Sequence, residues 1–317
     1  MDTVRLGRTE LQVSPICYGT WQFGGDWGQV DEQAAVAAIR HARERGVTFF
    51  DTAQGYGFGV SERILGRALE GDRDQVVIAT KGGLRMDGDR LVRDSSPAWL
   101  RQGVRSSLEA LGTDHVDLYQ VHWPDPRTPF EESAAALRDM VDEGLIRHVG
   151  VSNFDADQLR AFPGAETVQP PYHLFRRDVE AEVLPYAASD DLGVLAYGPL
   201  AHGLLGGAFD EHTVFPADDW RAHSPDFTGD RFRRNLAVVT ELSRFAVRFG
   251  TTIGQLAVAW VLSNPAVHVA IVGARSPRHL DESLDAAELT LGPDDLAEID
   301  AIMSGAAPMA GPAPEGM

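Results

Sequence analysis

The sequence predicts an α/β protein, a single (β/α)8 TIM barrel, and three observations carry that expectation. Short β-branched, mostly apolar runs recur along the chain, each followed by a longer segment of helical period. Eight such runs can be counted, enough to close a parallel barrel through right-handed crossovers. The length of 317 residues and the 44% of hydrophobic residues fit one barrel of roughly 250 residues with extensions. An open doubly wound sheet is the main rival architecture.

The strand candidates are Ile16 to Tyr18, Val47 to Phe50, Val76 to Ala79, Val116 to Val121, Ile146 to Val151, Thr167-Val168, Val194 to Ala196 and Val267 to Val272. Apolar runs of this length suit parallel strands covered on both faces. Three helices between them have legible ends. Asp31 can cap the first, with Val36, Ile39 and Ala42 inward and Gly46 closing. Ser96-Pro97 opens the second, where Leu100, Val104, Leu108 and Leu111 share one face and Gly112 ends it. Pro129 opens the third, with Phe130, Ala134, Leu137 and Val141 on one face and Gly144 at its end.

Two segments break the alternation. Val4 to Val13, with Gly7-Arg8 in the middle, reads as a small β-hairpin before the first barrel strand. Gly198 to about Arg234 reads as a long, Gly-rich loop after the seventh strand, of a length usually reserved for function. No domain boundary interrupts the chain, so residues 1–317 are expected to form one domain with an irregular tail at 306–317.

Composition narrows the function classes. Net charge is −19, so nucleic acid and anionic lipid are expected to repel the chain, and any phosphate site must be a local cationic spot. Cys17 is the one cysteine, so no intramolecular disulfide can form; it lies in an apolar run and reads as a small core residue. No signal-like segment or membrane-spanning run is expected, which points to the cytoplasm. Ten histidines include no His-x-His pair, and His122 has no close His or Cys at ligand spacing, which argues against a metal-dependent hydrolase.

A barrel carries its active site at the C-terminal ends of its strands. Polar groups follow nearly every apolar run: Asp51, Lys81, His122, Ser152-Asn153, Gln169, Tyr197 and Gly273. Any one of them could be the start of a loop; together they would converge on one mouth.

Four segments, in order, carry a resemblance. They are Asp51-Thr52-Ala53-Gln54-Gly55-Tyr56-Gly57 with Ser61-Glu62; Lys81 closing Val76 to Thr80; Asp117 to Trp123 with Pro124-Asp125; and Gly150 to Phe154. The chain resembles the aldo-keto reductases over nearly its whole length, and most closely the bacterial branch related to potassium-channel β subunits. The resemblance implies a catalytic tetrad of Asp51, Tyr56, Lys81 and His122. Physical chemistry supports these roles. A tyrosine ordinarily holds its proton to about pH 10. An adjacent ammonium, kept charged by a carboxylate, stabilises the phenolate. An imidazole can orient a carbonyl and share in proton delivery.

The resemblance also implies a nicotinamide cofactor, NADP(H), although no Gly-x-Gly-x-x-Gly opens a Rossmann unit here. Ser152, Asn153 and Gln169 would hydrogen-bond its carboxamide and Tyr197 would stack on its ring. Gly198, Pro199, Leu200 and Gly203 would line its diphosphate. Gly273 and Arg275, before a helix starting at Pro277, would meet the adenosine phosphate. His279, Glu282 and Ser283 follow on that helix, with Arg231 a second candidate for the phosphate charge. The chain departs from the family pattern at His279 and Ser283, where Gln and Asn are usual, at Gly198, usually Ser, and at Ala208, usually basic. Trp21, Trp27, Phe58 and Trp123 flank the mouth and could wall an apolar substrate pocket. The expected function is reversible, NADPH-dependent reduction of an aldehyde or ketone. The alternative is an NADP-binding regulatory subunit; such a subunit usually carries an extra N-terminal segment, whereas this chain starts at the hairpin, and the intact tetrad favours catalysis. The residue pattern selects neither a substrate nor an oligomeric state.

Overall fold

Side-chain alternation along the strands decides the architecture. A computed structural model describes residues 2–25, 30–217, 219–274 and 277–312; Trp27 and Arg275 lie outside them. The chain opens with hairpin β1 (Val4–Arg5) and β2 (Gln12–Val13), then enters the barrel at β3 (Ile16–Gly19). Helix α1 (Glu32–Glu44) leads to β4 (Phe49–Asp51), and α2 (Val60–Ala68) to β5 (Val77–Gly82). A second hairpin, β6 (Leu84–Asp87) and β7 (Arg90–Arg93), precedes α3 (Pro97–Leu111) and β8 (Val116–Val121). Then come α4 (Phe130–Asp142), β9 (Ile146–Ser152), α5 (Ala156–Ala161), β10 (Thr167–Gln169), α6 (Val183–Ser189) and β11 (Gly193–Tyr197). Helices α7 (Gly229–Arg248) and α8 (Ile253–Leu262) separate β11 from β12 (Val269–Val272), and α9 (Pro277–Asp285) and α10 (Pro293–Met303) follow.

Strands β3, β4, β5, β8, β9, β10, β11 and β12 close into an all-parallel barrel. Alternate residues divide into two cores, as period-two strands require. Cys17, Phe49, Ala79, Leu118, Leu195, Val269 and Ile271 pack inside the barrel. Their neighbours Tyr18, Phe50, Ile78, Tyr119, Val194 and Ala270 pack outward against the helices. The N-terminal hairpin plugs the lower end: Leu6, Leu11 and Val13 join the interior cluster. Gly7 permits this approach, since a Cβ there would stand 2.1 Å from the Gly193 nitrogen, on a backbone at φ +55°.

The expected helix ends hold. The Asp31 carboxylate accepts from the Gln33 and Ala34 amides, Ser96 Oγ accepts from Trp99 N, and Gly112 closes α3. One reading needs correction. The loop after β11 ends before Gly229, where α7 begins, so Arg231 stands on a helix rather than in the loop. The first-turn residues of this helix are Gly, Asp, Arg and Phe, with no side-chain cap, so the sequence gives little notice of its start. The described part of the tail, residues 306–312, is irregular and docked on the barrel. Ala307 pairs with Asn235, Met309 N donates to Phe175 O at 2.8 Å, and Ala310 N donates to Asp226 at 3.1 Å. Among the described residues no single helix is long and apolar enough to cross a membrane.

Candidate active site

The parity that buries Phe49, Ala79 and Leu118 inside the barrel carries Asp51, Lys81 and Gln120 inward at the next turn of the pleat. Asp51 ends β4 and is 2% exposed; Lys81 is fully buried. Lys81 Nζ donates to Asp51 Oδ1 at 2.6 Å, to the Thr52 carbonyl at 3.0 Å and to the Tyr56 hydroxyl at 3.3 Å. Burial works against the ammonium, but the Asp51 carboxylate and the Tyr56 oxygen outweigh it and hold the lysine pKa above its ordinary value.

Tyr56 sits in the tight turn between β4 and α2, its amide bonded to Ala53 O at 3.0 Å. Gly57 is needed there: at φ +67° a Cβ would come within 2.6 Å of Gly24 O. The Ser61-Glu62 pair of the motif lies behind this turn. Ser61 Oγ donates to Thr20 Oγ1 at 2.7 Å and accepts from Thr52 at 3.2 Å, tying the ends of β3 and β4 to α2. Buried Glu62 accepts from Thr80 at 2.6 Å, and burial raises its pKa.

His122, just past β8, meets the Tyr56 ring edge-on, with centroids 5.7 Å apart. Burial, reinforced by the Lys81 ammonium, pushes its pKa well below the ordinary imidazole value. Its Nδ1 is buried with no hydrogen-bond partner among the described residues. The structure therefore brings Asp51, Lys81, Tyr56 and His122 into one cluster: a carboxylate, an ammonium, a phenol and a neutral imidazole.

Beside the cluster lies a polar arc. Gln169, at the end of β10, donates to Asp51 Oδ2 at 2.9 Å. Ser152 Oγ donates to the backbone carbonyl of Gln169 at 2.9 Å. Asn153 adopts φ +62°, a conformation Asn tolerates. Its amide donates to His122 O at 3.0 Å and Ser152 Oγ at 3.1 Å, and it accepts from the Tyr197 hydroxyl at 2.8 Å. One side chain thus joins the ends of β8, β9 and β11. Burial raises the Tyr197 pKa, keeping it a phenol.

The loop after Gly198, Pro199 and Leu200 turns sharply, with Ala201, His202 and Gly203 all at positive φ. Arg221 fixes the turn by donating to His202 O at 3.1 Å, while pairing with Asp219 at 2.6 Å and stacking on Phe215 at 4.5 Å. Arg231 pairs with buried Asp226 at 2.9 Å, the carboxylate that also holds the C-terminal segment. On α9, Glu282 pairs with Arg278 at 3.0 Å and Ser283 Oγ bonds the His279 carbonyl. Gly273 ends next to Gln22, whose Oε1 lies 2.8 Å from where a Cβ on Gly273 would be.

Around the mouth, the Trp21 ring lies 6.4 Å from Tyr56 and 6.1 Å from His202. Phe58, at φ +46°, is 43% exposed, and Trp123 carries the Arg93 guanidinium 5.0 Å above its ring. Sequence reasoning did not single out Gln22, Gln120 or His202. For Gln120 a signal existed, since it shares its face of β8 with inward Leu118. Among the described residues no cluster of three or more His, Cys, Asp or Glu could hold a metal ion.

The barrel agrees with comparisons to known proteins. The model of the Aldo/keto reductase family matches residues 15–304, and the chain belongs to that family. It is 42% identical over 310 residues to aldo-keto reductase YhdN of Bacillus subtilis, covering 96% of this chain and 94% of the relative. It is 33% identical over 315 residues to the NADH-specific methylglyoxal reductase of Escherichia coli, covering 93% and 96%. The solved structure of glycerol dehydrogenase AKR11B4 from Gluconobacter oxydans superposes with a TM-score of 0.90 at 38% identity, covering 98% of each chain. The protein is thus an oxidoreductase-family barrel of the kind that acts on small-molecule carbonyls.

Proposed function

We propose that this protein reduces an aldehyde or ketone to an alcohol, reversibly, using NADPH. The observation that carries the reading is the buried Asp51–Lys81–Tyr56 array, with its contacts of 2.6 and 3.3 Å. A bound reduced nicotinamide supplies the hydride. Tyr56 gives its hydroxyl proton to the carbonyl oxygen, and Lys81, kept charged by Asp51, stabilises the phenolate left behind. His122, neutral at physiological pH, orients the carbonyl by a hydrogen bond. Ser152, Asn153, Gln169 and Tyr197 offer the donors, acceptors and ring face that a nicotinamide carboxamide requires. Gly198, Pro199, Leu200 and Gly203 line the diphosphate.

The preference for NADPH rests on Arg275, which lies outside the described residues, supported by His279, Glu282 and Ser283. It needs a direct test, because one relative is named as NADH-specific. The names of the relatives, a methylglyoxal reductase and a glycerol dehydrogenase, favour small, oxygenated carbonyl compounds. Trp21, Phe58 and Trp123 are the walls such a substrate would meet.

Purified protein, mixed with NADPH or NADH and a panel of small aldehydes and ketones, should consume the reduced nicotinamide, faster with NADPH. Arg275→Ala should weaken NADPH by about 1–3 kcal/mol, the worth of a charge-assisted hydrogen bond, and leave NADH nearly unchanged. Equal losses for both cofactors would remove the phosphate assignment. Binding without turnover across the panel would favour a regulatory subunit.

A further inference from the structure

Lysine is used once in this protein. Of its 28 lysines and arginines, Lys81 is the only lysine. The other cations are guanidiniums, which stay protonated and so do not attack a carbonyl carbon at neutral pH. Lys81 is therefore the one side-chain amine that a simple aldehyde can condense with. It also stands where the substrate is expected, since its Nζ lies 3.3 Å from the Tyr56 hydroxyl.

An amine so placed is a hazard when the substrate is an aldehyde. A neutral amine attacks the carbonyl carbon with its nitrogen lone pair. A C–N bond forms, the oxygen leaves as water with both amine hydrogens, and an imine remains. An ammonium has no lone pair and starts no such step. In this structure Nζ has three hydrogens and three acceptors: Asp51 Oδ1 at 2.6 Å, the Thr52 carbonyl at 3.0 Å and the Tyr56 hydroxyl. Of the three, only Asp51 brings a carboxylate. Burial works against the lysine charge, and Asp51 is the first of the groups that offset it. The other ionisable groups within its field are His122, which burial keeps neutral, and Cys17 and Glu62, whose pKa values burial raises.

We propose that Asp51 guards Lys81 against the substrate: with its carboxylate on Nζ a bound aldehyde is reduced, and without it the aldehyde condenses with Lys81 to an imine. Lys81 is then a latent modification site for small aldehydes. This inference rests on the carbonyl-reduction reading above.

The test is covalent labelling with propanal and cyanoborohydride, which reduces an imine to a stable secondary amine. The protein is treated without cofactor at about pH 8, where a terminal amine is half deprotonated, then digested and mapped by mass spectrometry. The wild-type protein should carry the propyl mark on its N-terminal amine and leave Lys81 unmarked. In Asp51→Asn, which keeps size and removes charge, the Lys81 mark should rise by roughly tenfold or more, tenfold being the gain in free amine for each unit by which its pKa falls. Asp51→Ser serves if the Asn variant does not fold. Loss of turnover in these variants would not separate a guard from a mere structural partner; the mark does. If burial alone protects Lys81, the folded variants stay unmarked and the proposal is overturned. A wild-type protein whose Lys81 is marked as readily as its N-terminal amine overturns it too, a result that needs no variant. A wild-type protein that oxidises neither NADPH nor NADH with propanal overturns the carbonyl reading itself, and this inference with it.

Discussion

A phenol with an ordinary pKa of about 10 holds its proton too firmly to act as an acid at neutral pH, so the worth of Tyr56 lies in its neighbours. Lys81 stands 3.3 Å from the hydroxyl and is held charged by Asp51 at 2.6 Å. Tyr56→Phe removes only the oxygen. Turnover should fall by roughly 10²–10⁴, the usual worth of general acid catalysis, while cofactor binding stays nearly intact. Lys81→Met should be comparably damaging, and the double variant should be little worse than either single one, because both residues act on one proton. Steady-state kinetics beside a separate cofactor titration checks this. A Phe variant with near-normal turnover would mean that the proton comes from His122 or water. Asp51, Lys81 and His122 were legible in the sequence because each follows an apolar run at its mouth end, and Tyr56 was reached only through the Asp51 to Gly57 motif. Gln120 was not singled out, although it lies inside a quoted motif. Its hydrogen bond joins it to Gln169, 49 residues away, and only the closed barrel brings the two together.

At the scale of elements, all eight barrel strands could be read from apolar runs, with ends shifted by up to three residues. Val47-Thr48 and Val267-His268 precede their strands, and β5 runs on through Lys81 to Gly82. The β6–β7 hairpin was missed. Its two-residue turn, Gly88-Asp89, is a hairpin signal, but Arg85, Asp87, Arg90 and Arg93 interrupt any apolar alternation. The long loop after β11 was legible as irregular, but what holds it was not. Arg221, 8% exposed, sits among Asp219, Phe209 and Phe215 and bonds the His202 carbonyl. This makes Arg221 the pin of a clasp whose other end, Gly198 to Gly203, is the proposed diphosphate contact. NADP⁺ should slow amide hydrogen exchange across Gly203 to Phe227. Arg221→Met should raise exchange there in the free protein and speed cofactor release, leaving Lys81 and Asp51 protected. Unchanged protection on adding NADP⁺ would show that the loop does not clasp the cofactor.

The molecule as a whole buries imidazoles in their neutral form, and that sets its response to acid. Burial, with help from nearby cations, holds His122 and His173 well below the ordinary value and His202 down to about 4. The unfolded chain protonates these groups near pH 6.5. Below that pH the unfolded state binds protons that the folded state refuses, so stability must fall as pH falls. His268 acts in the same direction. Two groups have the opposite sign. Burial opposes the charge on His148, but Glu166 and Glu10 outweigh it and raise its pKa. Its stabilisation is complete below the unfolded value and is lost as pH rises through the raised one, so it adds no slope below about pH 6.5. Buried Glu62, with a raised pKa, keeps a proton that the unfolded chain gives up, and so offsets part of this slope. The lowered carboxylates, Asp94, Asp125 and Glu166, lose their contribution only in more acidic solution. The four lowered imidazoles, partly offset by Glu62, leave a net uptake of protons on unfolding, and each net proton costs about 1.4 kcal/mol per pH unit well below pH 6.5. Urea midpoints measured from pH 7 to pH 5 should therefore decline steeply. His173→Asn removes one of these histidines from a site 1% exposed. It should lower stability at pH 7 yet flatten the decline by about 1 kcal/mol per pH unit. A decline of unaltered slope in that variant would mean that the loss of stability in mild acid has another source, and a flat profile in the wild-type protein would mean that these imidazoles charge without unfolding it.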